Sequence, residues 1–241
     1  MSHGVACHIN TDKVLNYEPF SLGGKIKTVS MLCILVGIVS FILGAIFLPA
    51  KHLWGTYYIN VIFWVGLSLG GVITASIFQI VRALWSPPVR RVAEANIAFV
   101  PIGIILVMLS YFGKDHLFPW ATSPMPGREW WMQPSFVYAR FLVLFTILFL
   151  VMRRFVGLSL KGDVAQQHEK NEHWLFKGIS NSWKGDEEVP VAQNKLSCLA
   201  PVVIVVYVVV SSLFAFEMVM SMDTIWYSNM FGGFYLSLIH I

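Results

Sequence analysis

The residues of this chain that could do chemistry are few, and most stand inside or at the edges of long apolar runs. A charged side chain in hydrocarbon is costly unless paired, so each one marks either a structural ion pair or a path for protons or ions. Glu94 follows Arg90 by four residues, the spacing that brings two side chains together on one helix face. It reads as a plain ion pair at the membrane edge or, more sharply, as a proton-entry carboxylate. Arg140 lies about six residues into one apolar run, and Glu217 about three from the end of a later run of opposite direction, which places both in the outer half of the bilayer. Paired, they would hold each other charged; alone, each would neutralise or snorkel to the interface. A structural pair and a proton-conducting role both remain open. Ser221 and Asp223 carry short oxygen-bearing side chains suited to capping the first turn of a helix after them, which Trp226 could anchor. Lys114, Asp115 and His116 end another run on the same expected side, where Asp115 and His116 could take up protons.

Other chemistry is disfavoured. Cys7, Cys33 and Cys198 are far apart and form neither a CxxC nor a CxxCH motif, so the chain encodes no haem attachment and no iron-sulfur ferredoxin run, and any redox centre would belong to a partner. His168 and His173, with Glu169 and Glu172, are spaced too awkwardly for one helix face, and no metal site is expected.

The elements that must position these residues follow from composition. Of 241 residues 56% are hydrophobic and 12% charged, and the mean hydropathy is +0.67, which excludes a soluble enzyme. The net charge of +4 is collected in the loops, so it is a topology signal and not a nucleic-acid footprint. Hydrocarbon about 30 Å thick takes about 20 apolar residues to cross. Five uncharged runs qualify: 28–48, 57–81, 92–112, 135–152 and 196–220. A sixth begins near residue 224 and reaches residue 241 with no closing polar flank, so the natural product is expected to be longer.

The expected fold is therefore an all-α polytopic transmembrane bundle with five full spans and a truncated sixth. Its parts are an N-terminal segment (1–27), spans one to four (28–152), a polar connection (153–195) with a short amphipathic helix near 163–176, and span five with the start of span six (196–241). Thirteen lysines and arginines fall in the N-terminal segment and the even connections, against Lys51, Lys114 and Arg128 on the other side, which places the N-terminus in the cytoplasm. No cleavable signal peptide is expected, because the first apolar run starts late and is long enough to span. Trp54, Tyr57, Tyr58, Trp85, Trp130 and Trp131 sit where interfacial anchors belong. Gly66, Gly70 and Gly71, with Ser68 and Ser76 nearby, include a small-xxx-small spacing that lets another helix approach closely, and Gly232 and Gly233 read the same way.

Two strings carry a resemblance: Ala83-Leu-Trp85-Ser-Pro-Pro-Val-Arg90-Arg91-Val-Ala-Glu94-Ala, and the run from Glu217 to Phe231 around Ser221-Met-Asp223-Thr-Ile-Trp226-Tyr-Ser228. They resemble a membrane component of alternative complex III, the bacterial quinol:cytochrome c oxidoreductase. The component in question is often called quinone-binding subunit 2 and is similar in fold to the NrfD and polysulfide-reductase membrane subunits. The resemblance covers the chain from about residue 23 onward. It departs after the aspartate, where the family often has Pro-His and this chain has Thr224 and Ile225.

The resemblance implies about ten spans in two four-helix bundles with peripheral helices, of which this chain supplies the first helix, one bundle and the start of the second. It implies a multi-pass protein of the bacterial inner membrane, with c-type haem and iron-sulfur clusters in partner subunits: a sister NrfD-like subunit, an iron-sulfur subunit and c-type cytochromes. It further implies that the sister subunit carries most of the quinol oxidation, leaving this one scaffold and a candidate proton route. On that reading Glu94, Arg140, Glu217 and Asp223 are proton-path candidates, with Arg140 tuning Glu217, and Asp115 and His116 are quinol-side candidates. Membrane lipid is an expected partner and nucleic acid is not. Two alternatives stay open. One is a quinol-binding subunit of a smaller NrfD-type reductase. The other is a fragment of a secondary transporter, whose expected broken helices are hinted at only by Pro101.

Overall fold

A computed structural model describes residues 23–123, 126–166, 188–223, 225–226 and 228–237. Within them the chain is helical, and no strand is present among the described residues. Five helical stretches are long and apolar enough to cross a membrane, so the protein is a polytopic membrane protein. The first two are α1 (Gly24–Phe47) and α2 (Ala50–Ile80). The third is continuous over Pro87–Leu117 and comprises α3 (Pro87–Ala95), α4 (Val100–Leu109) and α5 (Lys114–Leu117), joined by tighter 3-10 turns. A short α6 (Pro119–Thr122) follows. The fourth span lies in α7 (Pro134–Gln166) and the fifth in α8 (Glu188–Phe214), which continues through a wider π-helical turn, Ala215–Val219. A last helix, α9, covers Phe231–Ser237.

Local chemistry explains the irregularities. Pro101 has no N–H to donate to the carbonyl four residues back, and its ring crowds that turn. The chain tightens just ahead of it, over Asn96–Phe99. There the Asn96 side-chain amide donates to the carbonyls of Val92 (3.3 Å) and Ala93 (3.2 Å), which keeps loosened backbone acceptors paired. Helix α1 ends before Pro49, and Pro87 opens α3 at a position where a missing N–H costs nothing.

Side-chain contacts between helix ends show how the spans pack. Tyr58, early in α2, bonds to Met218 at the end of the fifth span (2.8 Å), while Gln79 at the end of α2 bonds to Ser197 near the start of α8 (3.0 Å), so these two are antiparallel. Arg91 on α3 meets Ser159 late in α7, and Ser110 meets Tyr138 early in α7, so the third and fourth spans are antiparallel as well. The second to fifth spans form one bundle around Val65, Leu69, Phe141, Phe145, Leu148 and Phe214, all buried. Helix α1 stands outside it: 6% of its apolar window is buried, against 50% for α2. It touches the bundle through Phe41, packed on Trp54 and Tyr57.

The structure revises three expectations. Helices α7 and α8 reach well into the polar stretch 153–195, because Lys, Arg, Gln and Glu are good helix formers and an established helix extends cheaply past the membrane edge. Lys161 and Glu188 join the two extensions at 2.5 Å. His168, His173 and most of the amphipathic stretch 163–176 lie outside the described residues. The glycines divide: a Cβ at Gly71 would come within 2.7 Å of the Ala93 carbonyl, so a close approach does occur there, whereas one at Gly66 would meet nothing. Finally, the helix after Asp223 starts only at Phe231.

Candidate functional site

Glu94 and Glu217 each centre a cluster of paired side chains. In the first, Glu94 is 2% exposed and accepts from two arginines of its own helix: Arg90 Nε at 2.9 Å and Arg91 Nη1 at 2.5 Å. Spacings of four and three residues put both guanidiniums on the glutamate's face. Each arginine then reaches another helix. Arg90 Nη1 donates to Gln79 Oε1 on α2 (2.7 Å), and Gln79 in turn donates to Ser197 on α8. Arg91 donates to the Ser159 hydroxyl (2.8 Å) and carbonyl (3.1 Å) on α7. Phe155 of α7 lies under the Arg90 guanidinium at 5.7 Å. One buried carboxylate thus centres a network tying four spans together.

The second cluster is built on α7 and the π-helical turn. Arg140 Nη2 donates to Glu217 Oε2, and the Trp131 indole N–H donates to Glu217 Oε1 at 2.9 Å. The Trp131 ring also lies against the guanidinium, 4.1 Å from Cζ, and its carbonyl accepts from Arg140 Nη1 at 3.5 Å. Both charged side chains are 12% exposed. A π-helical turn spreads the backbone bonds and leaves carbonyls to be satisfied from outside the helix. The Ser221 hydroxyl donates to the Glu217 carbonyl (2.5 Å), Tyr58 to that of Met218, and Ser221 accepts from the indole of buried Trp120 (2.9 Å).

The other candidates stand apart. Asp223 accepts from the amides of Ile225 (2.9 Å) and Trp226 (3.4 Å), so it caps a turn and not the first turn of α9; an aspartate readily bonds its own downstream backbone. Asp115 pairs with the adjacent Lys114 (3.0 Å) and is exposed, as is His116. Among the described residues no hydrogen bond or ion pair joins Asp115, His116 or Asp223 to Glu217.

Sequence reasoning found Glu94 with Arg90 and Arg140 with Glu217, but missed Arg91, whose three-residue spacing to Glu94 was a usable signal, and Gln79, Ser159 and Ser197, whose partners lie on other helices. It also took Trp131 and Tyr58 for interfacial anchors. Tyr58 is fully buried, and Trp131 supplies both a hydrogen bond and a ring to the second cluster. Trp120 carried no local signal at all.

The clusters are about one membrane thickness apart. Tyr58 and Gln79 belong to the second and first respectively and stand 21 residues apart on α2; at 1.5 Å per residue that is roughly 30 Å. Between them the buried hydroxyls of Ser68 and Ser76 donate to carbonyls of their own helix. The carboxylates act first as knots between helices, and a proton role for either requires its arginine partners to let go.

Comparison with models of known protein families and with curated proteins yields no match.

Proposed function

We propose that the chain is a non-haem membrane subunit of a bacterial quinol-oxidising respiratory complex of the alternative complex III kind, seated in the inner membrane and contributing chiefly scaffold. The observation that carries the reading is where the two resembling strings fall. The first contains Arg90, Arg91 and Glu94, and the second begins at Glu217 and contains Ser221, so each supplies the carboxylate of one of the two knots that join the spans. The peripheral α1 beside a four-span bundle is also the arrangement that the resemblance implies. On this reading c-type haem and iron-sulfur clusters belong to partner subunits, the sister NrfD-like subunit carries the quinol chemistry, and electrons pass to cytochrome c or a terminal oxidase without entering this chain.

A proton path is a secondary part of the proposal, with Glu94 at the entry and Glu217 and Asp223 at the exit. Its cost is the opening of the pairs that hold Glu94 and Glu217, and Arg140 sets that cost at the exit. Quinol binding on this chain itself has weaker support. The apolar cavity of about 500 Å³ between α1 and α2 is lined by Phe41, Tyr57, Asn60 and Trp64 among others, and its lining contains no Asp, Glu or His to accept a quinol proton.

Gene disruption tests the proposal. Membranes lacking the chain should lose quinol-dependent reduction of the acceptor together with the assembled complex, and both should return on complementation. Undiminished quinol oxidation with an intact complex would contradict it.

A further inference from the structure

A second cavity, of about 490 Å³, opens at the end of α2 where the chain turns into α3, and α8 forms its other wall. Its lining is mostly polar, with buried Gln79 and half-buried Arg90 beside exposed Asn194 and Ser197, while Phe78 and Leu84 give it an apolar lip. Arg82 and Arg91 also line it, and no acidic residue does. Behind it Glu94 pairs with Arg90 and Arg91, and Arg82 adds a positive charge at the mouth that this carboxylate does not meet.

Two features are not explained by the network already described. Arg90 Nη2 is buried without a hydrogen-bond partner, although its neighbours Nε and Nη1 are both engaged. That nitrogen is closed off from the cavity as well as unpaired, as is Arg140 Nε in the other cluster, so Arg90 supplies the cavity with charge and not with a free donor. Arg82 holds a backbone φ of +50°, a left-handed conformation unusual for a residue with a side chain, and its exposed side chain lines the cavity. Arg82 makes no ion pair among the described residues. The amides at the start of α3 are not the attraction, since Pro87 and Pro88 have no N–H to offer.

We infer that this cavity binds a phosphate-bearing anion, with Arg82 as its cationic donor, the Arg90 guanidinium adding positive charge behind it, and Gln79, Asn194 and Ser197 as neutral donors. Forked guanidiniums match phosphate oxygens in pairs. Basic pockets between helices at a membrane face are a recognised form of lipid headgroup site. The apolar lip suits the acyl chains of an anionic phospholipid. A soluble phosphate would use the same donors and leave the lip bare. The inference rests on the chain spanning a membrane and is independent of its place in any respiratory complex.

The test uses the full chain in nanodiscs of phosphatidylcholine with one-fifth phosphatidylglycerol, and native mass spectrometry reads which lipids stay bound. The wild-type chain should retain phosphatidylglycerol above its share. Arg82→Asn removes the charge while keeping a residue that tolerates the left-handed backbone, and it should lower that enrichment about fivefold. Asn194→Leu, at an exposed position, should also lower it. Lys51→Gln, which removes a charge at the other end of α2, should leave it unchanged. In a second arm, phosphatidylcholine-only discs receive millimolar inorganic phosphate. A phosphate adduct that Arg82→Asn abolishes would support the site with a soluble anion as its source. Equal phosphatidylglycerol retention in wild type and Arg82→Asn, with no Arg82-dependent phosphate adduct, would overturn the inference.

Discussion

Glu217 shows what a carboxylate in this bundle is free to do, because Arg140 and Trp131 occupy both of its oxygens while only 12% of its side chain is exposed. Removing one charge strands the other in a poorly solvated site, at a cost of roughly 3 kcal/mol, whereas removing both is far cheaper. Glu217→Gln keeps an acceptor for the Trp131 indole but leaves Arg140 without its counter-charge. Its unfolding free energy in detergent should fall by about that amount, and the Arg140→Leu/Glu217→Leu double variant should recover most of the loss. Equal stability of Glu217→Gln and wild type would show that the pair is not formed. If Glu217 also carries protons, the number translocated per electron should drop in Glu217→Gln; an unchanged number there and in Asp223→Asn would leave both residues purely structural. Both ion pairs were legible in the sequence: Glu94 with Arg90 from their four-residue spacing, and Arg140 with Glu217 from matched depth. Arg91 with Ser159 was not, because no local spacing encodes a partner 68 residues away.

At the scale of elements, the close crossing of α2 and the end of α3 depends on one missing side chain. A Cβ at Gly71 would lie 2.5 Å from Asn96 Nδ2 and 2.7 Å from the Ala93 carbonyl, and that carbonyl belongs to a helix that cannot step aside. Gly71→Ala should therefore destabilise the bundle by about 1–3 kcal/mol. Gly66→Ala, facing open space, should be neutral or stabilising by up to about 1 kcal/mol. The same unfolding measurement on the two variants checks the register, and a reversed order would refute it. Spans were readable as uncharged runs, since hydrocarbon thickness fixes their length. Their ends were less so: α7 runs to Gln166 because polar helix formers continue a helix that the apolar run starts. The π-helical turn Ala215–Val219 had no sequence signature, because Ser221 on the Glu217 carbonyl is a bond any helical serine can make, while Tyr58 on the Met218 carbonyl comes from a distant helix.

For the whole molecule, the distribution of lysine and arginine predicts the N-terminus and the connection between α7 and α8 in the cytoplasm. Reporter fusions after Gly178 and after Gly127 should report opposite compartments, with Gly178 cytoplasmic, and a periplasmic signal at Gly178 would reverse the topology. The polytopic all-α fold was fully legible from composition and run length. The grouping of four spans with α1 outside was not, since α1 is as apolar as the spans that pack, and only contacts distinguish a lipid-facing helix from a buried one. Alone in the membrane, α1 offers nearly its whole surface to its surroundings. The most direct measurement is purification of the tagged chain from native membranes, with mass spectrometry of what accompanies it and reduced-minus-oxidised absorbance of the product. The account predicts a stoichiometric assembly containing c-type haem, iron-sulfur clusters and a second multi-span subunit. A chain that purifies alone, or with partners free of haem and clusters, would contradict it.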